Sequence, residues 1–138
     1  LIDSSIWLEG LLQQQRAGEV ADFLRHVPIS RLVISDFALR SIGVVLTRKN
    51  QGAAYANFID QVMIGGQVKV ASVATEQLRN LPALCEKLRL DFDDAYQYAV
   101  EESANFQLVS FDANFDHTPR GRLTPAQALA QLQTGKEP

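Results

Sequence analysis

The sequence is poor in the residues on which disulfide-rich, zinc-binding and membrane proteins depend. Its 138 residues include one cysteine, Cys85, and two histidines, His26 and His117, so neither an internal disulfide nor a paired zinc-ligand motif is expected. No hydrophobic run reaches the roughly 18 residues of a membrane-spanning helix, and no basic segment precedes an apolar one as in a secretory signal. We therefore expect a cytoplasmic protein with no membrane partner. Because the sequence begins at Leu1 and not at a methionine, we also expect that a few residues precede it.

The sequence also lacks an excess of positive charge, and it lacks the glycine-rich loops that bind phosphate groups. Thirteen basic and sixteen acidic residues give a net charge of −3, which argues against a protein that coats nucleic acid through bulk charge. Neither GxGxxG nor GxxxxGK[ST] occurs, so a nucleotide-binding fold is disfavoured. The chain has no repeat or low-complexity linker, and 46% of it is hydrophobic. Residues 1–138 are therefore predicted to form one domain with its own apolar core.

Hydrophobic patterns predict alternating strands and helices. Short β-rich runs predict strands at 1–2, 31–34, 68–70 and 106–110. Helices are predicted from Ser4 or Ser5 with a break at Gly18, then at 20–26, 36–48, 52–63, 75–88 with a break at Pro82, 91–102, and after Thr124 and Pro125. This alternation predicts an α/β domain with a mostly parallel sheet covered by helices on both faces. Trp7 and the seven phenylalanines are expected in its core.

Three carboxylates fall where ligands bind in such folds, beyond the carboxyl ends of the strands. Asp3 follows the first predicted strand, Asp112 follows the last one, and Asp94 lies in the first turn of a helix. Two such charges about 4 Å apart repel by about 4 kcal/mol at an effective dielectric of about 20, so a cluster has to share protons or bind cations. Mg²⁺ and Mn²⁺ prefer carboxylate oxygens and keep positions open for phosphate oxygens. The pattern therefore predicts a divalent-metal site suited to a phosphodiester.

Each of these acids also has a purely structural interpretation. Asp3 can cap the first helix, Asp94 matches the far end of a capping box that starts at Asp91, and Asp112 can form an Asx turn. A helix N-terminus favours any acid near it. Position along the chain by itself therefore leaves both interpretations open.

Four segments together resemble the PIN domain family, and they occur in the family's order over almost the whole chain. They are LIDSSIWLEGLL, LVISDFALRSIGVVL, LRLDFDDAYQYAVEESANFQLVSFDANF and LTPAQAL. The nearest likeness is to the short prokaryotic VapC-like toxins of type II toxin-antitoxin pairs. The resemblance implies a Mg²⁺- or Mn²⁺-dependent endoribonuclease that hydrolyses RNA with a metal-activated water. It also implies a cognate antitoxin and a homodimer as possible partners.

The resemblance assigns roles to individual residues. Asp3, Asp94 and Asp112 match carboxylates that hold metal and act in catalysis, and Ser110 stands in place of the usual threonine. Asp93 and Asn114 are polar neighbours that could assist. The helix at 52–63, with Phe58 and Met63, is a candidate face for a second copy or an antitoxin.

One position departs from the family pattern. Ser41 stands where the family usually has a glutamate, and serine cannot supply that charge. Asp36 lies five residues earlier, about 140° around the helix from Ser41, so it would reach the site only from the start of the helix. Its alternative role is a first-turn acid paired with Arg40.

Two other functions compete with the nuclease. A catalytically weakened or silent PIN domain would bind RNA or a protein without cleaving, as the missing glutamate would allow. A phospho-acceptor receiver domain also gathers acids at strand ends, but here the pair Asp93-Asp94 opens a helix and no strand-end lysine follows Asp112. The receiver-domain interpretation is the weakest of the three.

Overall fold

Two short strands and three single-residue bridging segments form a parallel sheet at the centre of the molecule. In the computed structural model, which describes residues 1–135, β1 (Val33–Ser35) pairs in parallel with β2 (Lys69–Ala71), with Val33 opposite Lys69. Ile2 and Leu123 each form a parallel bridge to Val109, and the Ile2 N–H donates to the Val33 carbonyl at 2.8 Å. The order across the sheet is therefore β2, β1, Ile2, Val109 and Leu123. The predicted α/β class with a parallel sheet is confirmed.

The predicted strand at 106–110 is wrong as a continuous element, because pairing there is limited to the bridge at Val109. The Val109 N–H bonds to the Leu1 carbonyl on one side. On the other side the Leu108 N–H donates to the buried Glu101 carboxylate at 3.3 Å and finds no strand partner. The Glu101 side chain thus accepts the Leu108 N–H, which would bond to a backbone carbonyl if the neighbouring strand were longer.

Eight α-helices surround this sheet within residues 1–135. They are α1 (Ser4–Leu11), α2 (Ala17–His26), α3 (Asp36–Arg48), α4 (Gly52–Phe58), α5 (Thr75–Leu78), α6 (Leu81–Leu88), α7 (Phe92–Ala104) and α8 (Pro125–Gln133). Short 3₁₀ turns lie at Ile29–Arg31 and Ala113–Phe115, and α4 continues as a π-helix over Ile59–Ile64. No helix in this part of the chain combines the length and the apolarity that crossing a bilayer requires.

Side-chain caps mark the starts of α3 and α8. Ser35 caps α3 by accepting the Ala38 N–H, and Thr124 caps α8 in a capping box with Gln127. The predicted break at Gly18 is wrong, because Gly18 lies inside α2. The chain turns earlier, at Gln13, whose φ of 50° is left-handed.

Alternating residues of the strand segments feed two separate cores. Ile2, Ile34 and Val109 pack on one face with apolar side chains of α1, α2, α3, α4 and α8. Their chain neighbours Leu1, Val33 and Leu108 pack on the other face with side chains of α6 and α7. This alternation is the two-residue period of extended chain, and it confirms that helices cover both faces of the sheet.

Two aromatic predictions are wrong. Phe37 and Phe92 were expected in the core, but they are 36% and 47% exposed. The helix α3 buries Ala38, Ile42 and Leu46 instead of Phe37, and Phe92 lies at the start of α7. Phe58 was expected in the core, and it was also assigned to a candidate face for a second copy or an antitoxin. It is 2% exposed and packs on Trp7 with ring centroids 5.2 Å apart, so it belongs to the core.

Glu101 of α7 is a fully buried acid that connects α7 to the segment at Val109. Its Oε1 accepts the Leu108 N–H and lies 3.6 Å from Arg120 Nε. Burial raises the pKa of Glu101 to about 7, although the Arg120 guanidinium opposes this shift. Because the folded pKa lies above the usual value of 4.5, the folded protein holds this proton more tightly than the unfolded chain, and ionisation costs stability as pH rises from 4.5 to 7.

We therefore expect the substitution Glu101→Gln to flatten part of the dependence of stability on pH. The free energy of unfolding of the variant relative to the wild type should increase by about 2 kcal/mol between pH 4.5 and pH 7.5. Urea unfolding at a series of pH values measures this difference. Glu86→Gln, at an exposed site on α6, is the matched control and should give a pH-independent difference. A constant difference for Glu101→Gln as well would show that this carboxyl titrates normally.

Candidate active site

A cleft of about 260 Å³ opens at the carboxyl edge of the sheet. Its lining is rich in acids and hydroxyls: the carboxylates of Asp3, Asp93, Asp94 and Asp112, the hydroxyls of Ser4, Ser5 and Ser41, the amide of Gln97, and the apolar Leu8, Phe37 and Ala38. No lysine or arginine is among these lining residues, all of which lie in the described part of the chain. The fold thus brings the three predicted carboxylates to one place, together with Asp93 and Ser41.

Two serine hydroxyls hold Asp3 in the cleft. Ser5 Oγ and Ser110 Oγ each donate to Asp3 Oδ2 at 2.8 Å. Burial raises the pKa of Asp3, and hydrogen bonds from Ser110, Ser5 and the neighbouring backbone N–H groups oppose that shift. The carboxylate is therefore both desolvated and fixed in orientation, as a ligand-binding acid requires.

Ser110 also fixes the segment that carries Asp112. The Asp112 N–H donates to Ser110 Oγ at 2.9 Å, so one hydroxyl connects Asp3 with Asp112. Asp112 Oδ1 accepts the Asn114 N–H at 2.8 Å, which is the predicted Asx turn. Asn114 takes part through its backbone, and its exposed side chain is not among those that line the cleft.

Asp94 reaches the cleft from the first turn of α7. The predicted capping box is absent, because Asp91 occupies the N-cap position without a side-chain capping bond. Burial raises the pKa of Asp94 to about 7, and the negative charges of Asp93, Asp112 and Asp3 add to the effect. The acids of the cleft therefore act on one another electrostatically, as the sequence predicts for a cluster at this edge.

A second grouping of carboxylates overlaps the first at Asp94. Within residues 1–135, Asp91, Asp93 and Asp94 are the one group of three metal-ligand side chains whose ligand atoms all lie within 4.8 Å. Asp91 and Asp93 are exposed, whereas Asp94 is partly buried. Asp94 is thus shared between an exposed acidic group and the cleft group of Asp3 and Asp112.

Asp36 is not among the residues that line the cleft. Its Oδ1 accepts the Tyr96 hydroxyl at 2.6 Å and the Phe37 N–H at 2.8 Å, and its Oδ2 lies 3.5 Å from Arg40 Nη1. This is the structural role that the sequence left open as the alternative. On the α3 side, Ser41 is therefore the polar side chain that lines the cleft, and no acid of α3 lines it.

The sequence interpretation missed Gln97. This residue lines the cleft, and its Oε1 accepts the Ser35 hydroxyl at 2.7 Å. A signal was present, because Gln97 lies three residues after Asp94 and so shares its face of α7. No nearby residue in the sequence indicates its polar partner, because Ser35 ends β1 and lies 62 positions before Gln97.

The donor set of the cleft fits a hard divalent cation. Carboxylate oxygens are the preferred ligands of Mg²⁺ and Mn²⁺, and the cleft supplies four carboxylates with no basic side chain to balance them. Burial and the neighbouring carboxylates together raise the pKa of Asp94 to about 7, and a cation would relieve the repulsion between these acids.

Both the sequence and the fold of this chain are similar to those of known proteins. A family model described as PIN domain matches residues 1–121. The crystal structure of PAE2754 from Pyrobaculum aerophilum is similar, with a TM-score of 0.68 and 21% sequence identity over 96% of this chain and 93% of that one. At this identity the likeness shows a shared fold. No curated protein gives a significant match.

The crowding of like charges predicts that Asp94→Asn stabilises the metal-free protein. Removing one of four cleft carboxylates relieves repulsion without loss of volume, so the free energy of unfolding at pH 8 should rise by about 1 kcal/mol. Chemical unfolding in the presence of a chelator measures it. Asp60→Asn, which removes the same charge at an exposed site, should change stability far less. A destabilised Asp94→Asn would mean that this carboxylate supports the fold.

Proposed function

This chain belongs to the PIN domain family, and we propose that it is a Mg²⁺- or Mn²⁺-dependent endoribonuclease that hydrolyses RNA phosphodiesters. PIN domains are generally metal-dependent nucleases. The observation that carries the proposal is the cleft itself, where four carboxylates meet without a basic side chain. Such a site attracts cations, and a bound cation in turn attracts the phosphate of a nucleic acid.

Asp3, Asp94 and Asp112 are the residues that would hold the metal. A hard divalent cation, when bound there, lowers the pKa of a water and neutralises charge on the phosphodiester under attack. Asp3 is oriented by Ser5 and Ser110. Asp94 reaches the cleft from the first turn of α7.

The serines keep these acids in a fixed arrangement. Ser110 is fully buried, and its single hydroxyl donates to Asp3 while accepting the Asp112 N–H. The Ser5 hydroxyl donates to Asp3 and accepts the Phe111 N–H at 3.1 Å. Ligands held in this way pay less conformational entropy when the metal binds.

Titration of Mn²⁺ into the purified protein tests the metal site without knowledge of the RNA. We expect one site in the wild type, a loss of at least tenfold in affinity for Asp94→Asn and Asp112→Asn, and little change for Asp91→Asn. The reason is that the cleft carboxylates are oriented and partly desolvated, whereas Asp91 is exposed. Calorimetry gives the affinities.

Asp91→Asn is the matched control, since it removes an acid from the exposed group alone. Equal losses for Asp91→Asn and Asp94→Asn, with no loss for Asp112→Asn, would place the cation on the exposed group. Metal binding by none of the proteins would contradict the proposed function.

A catalytically silent PIN domain is the second candidate, and Ser41 is the observation that favours it. Ser41 lines the cleft on α3, in the place where the family usually has a glutamate. With three carboxylates in the proposed metal site, the cation would be held less strongly than with four. The protein could then bind RNA or a partner protein without turnover.

The substitution Ser41→Glu distinguishes the two candidates. If the native cleft has lost part of its site, the variant should bind Mn²⁺ at least tenfold more tightly and cleave a mixed single-stranded RNA that the wild type leaves intact. If the wild type already cleaves that RNA with Mn²⁺, and Ser41→Glu brings no gain, the native set of acids is sufficient. Ser41→Gln, of similar size but neutral, controls for the change in volume.

The predicted antitoxin and homodimer rest on the resemblance to short prokaryotic members of the family. We propose that the chain is the toxin of such a pair, in which the antitoxin would block the cleft. Phe58 is buried and cannot serve as the contact side chain that the sequence suggested. Growth inhibition on expression, relieved by Asp94→Asn, would support the toxin role.

A further inference from the structure

Gln97 is a buried amide at the wall of the acidic cleft. It lies one turn after Asp94 on α7, it is 4% exposed, and it lines the cleft together with Asp94 and Ser41. Its Oε1 accepts the hydroxyl of Ser35, which is also fully buried. The amide oxygen is therefore hydrogen-bonded within the core, whereas the amide nitrogen, Nε2, has no such bond.

The hydrogen bonds of Ser35 determine which arm is which. Ser35 Oγ accepts the Ala38 N–H at 3.0 Å, and its one proton needs an acceptor. Gln97 Oε1 supplies it at 2.7 Å. A reversed amide would present Nε2 to the hydroxyl and leave the Ser35 proton without an acceptor. The satisfied arrangement of Ser35 thus fixes Nε2 as the free donor.

Nε2 of Gln97 has no hydrogen-bond partner within residues 1–135. Three other buried side-chain atoms share this property: Trp7 Nε1, Glu101 Oε2 and Arg120 Nε. Glu101 and Arg120 face each other as an ion pair, and Trp7 lies outside the cleft lining. A buried N–H donor without a partner costs stability, and Gln97 is the one of the four that borders the cleft.

The surroundings of Gln97 indicate what Nε2 would bind. The charged groups of the cleft are carboxylates, which are acceptors, and no lysine or arginine lines it. A phosphodiester brought there by a cation presents non-bridging oxygens, which need donors. Gln97 contributes a buried donor to this wall, and Ser41 of α3 offers a hydroxyl in the lining of the same cleft.

We propose that Gln97 Nε2, with the Ser41 hydroxyl, forms a neutral donor subsite that binds a non-bridging oxygen of the RNA phosphate. This inference rests on the proposed function and adds a substrate contact to it. Ser35 holds the amide in position through its hydrogen bond to Oε1. The α3 side of the cleft, which lacks the family's glutamate, thereby contacts the substrate and not the cation.

Gln97→Glu tests the subsite through two titrations that should change in opposite directions. The variant keeps the acceptor for Ser35 but replaces the donor Nε2 by a carboxylate oxygen. We expect Mn²⁺ to bind as tightly as in the wild type or more tightly. Inorganic phosphate, titrated into the Mg²⁺-saturated protein, should bind at least tenfold more weakly, because a hydrogen bond to a charged group is lost.

Two further variants separate a binding role from a structural one. Gln97→Met removes the donor without adding charge, and with it the acceptor of the Ser35 hydroxyl. It should also weaken phosphate binding about tenfold, with Mn²⁺ affinity unchanged. Gln61→Glu adds one negative charge at an exposed position and should leave both affinities near those of the wild type. On any RNA that the wild type cleaves, Gln97→Met should raise KM more than it lowers kcat.

The outcomes distinguish this inference from the proposed function. If the wild type binds Mn²⁺ and phosphate and both Gln97 variants bind phosphate equally well, the subsite is wrong and the metal site stands. If the wild type binds neither Mn²⁺ nor phosphate, the proposed function is wrong, and the proposed subsite is wrong as well. Thermal unfolding of each variant identifies any loss of affinity that comes from loss of the fold.

Discussion

Repulsion between carboxylates is the constraint on which the cleft depends. Asp3 and Asp112 extend from neighbouring segments of the sheet, and α7 brings Asp94 to them. Ser110 connects the first two through one bond to each. Burial, with the crowding of like charges added to it, raises the pKa of Asp94 to about 7, and ionisation there costs stability. The same crowding gives this edge of the sheet its attraction for a cation.

The packing of helices on the sheet holds the repelling carboxylates in place, because the short strands of the sheet cannot do so alone. Its pairing segments span one to three residues each, so few ladder hydrogen bonds hold them. The two apolar cores on opposite faces fix the segments instead. Ser35 joins three elements at once, since it ends β1, caps α3 and bonds to Gln97 of α7. The acids are therefore positioned by contacts made well outside the cleft.

The two sides of the cleft differ in character. Asp3, Asp94 and Asp112 supply negative charge, whereas α3 contributes the hydroxyl of Ser41 and no acid. Asp36, the nearest acid on α3, is engaged by Tyr96 and Arg40 outside the lining. A neutral wall with free donors suits a phosphate oxygen better than a cation. The hydroxyl of Ser41 and the unpartnered amide of Gln97 thus have a common interpretation.

The sequence alone determined what depends on neighbours a few residues apart. The caps at Ser35 and Thr124 and the Asx turn at Asp112 are local hydrogen bonds, and the alternation of strands and helices predicts the α/β class. Since parallel strands present their carboxyl ends at one edge, the meeting of Asp3, Asp94 and Asp112 in one cleft could also be predicted.

Only the tertiary structure decided the rest, because the partners are distant in sequence. Ser35 and Gln97 are 62 positions apart, and Asp36 and Tyr96 are 60 positions apart. No local pattern predicts that the bond to Tyr96 holds Asp36 outside the cleft lining, or that Gln97 lines the cleft. The exposure of Phe37 depends in the same way on which face of α3 meets the core. Hydrophobicity predicts that a side chain can be buried, but packing decides whether it is.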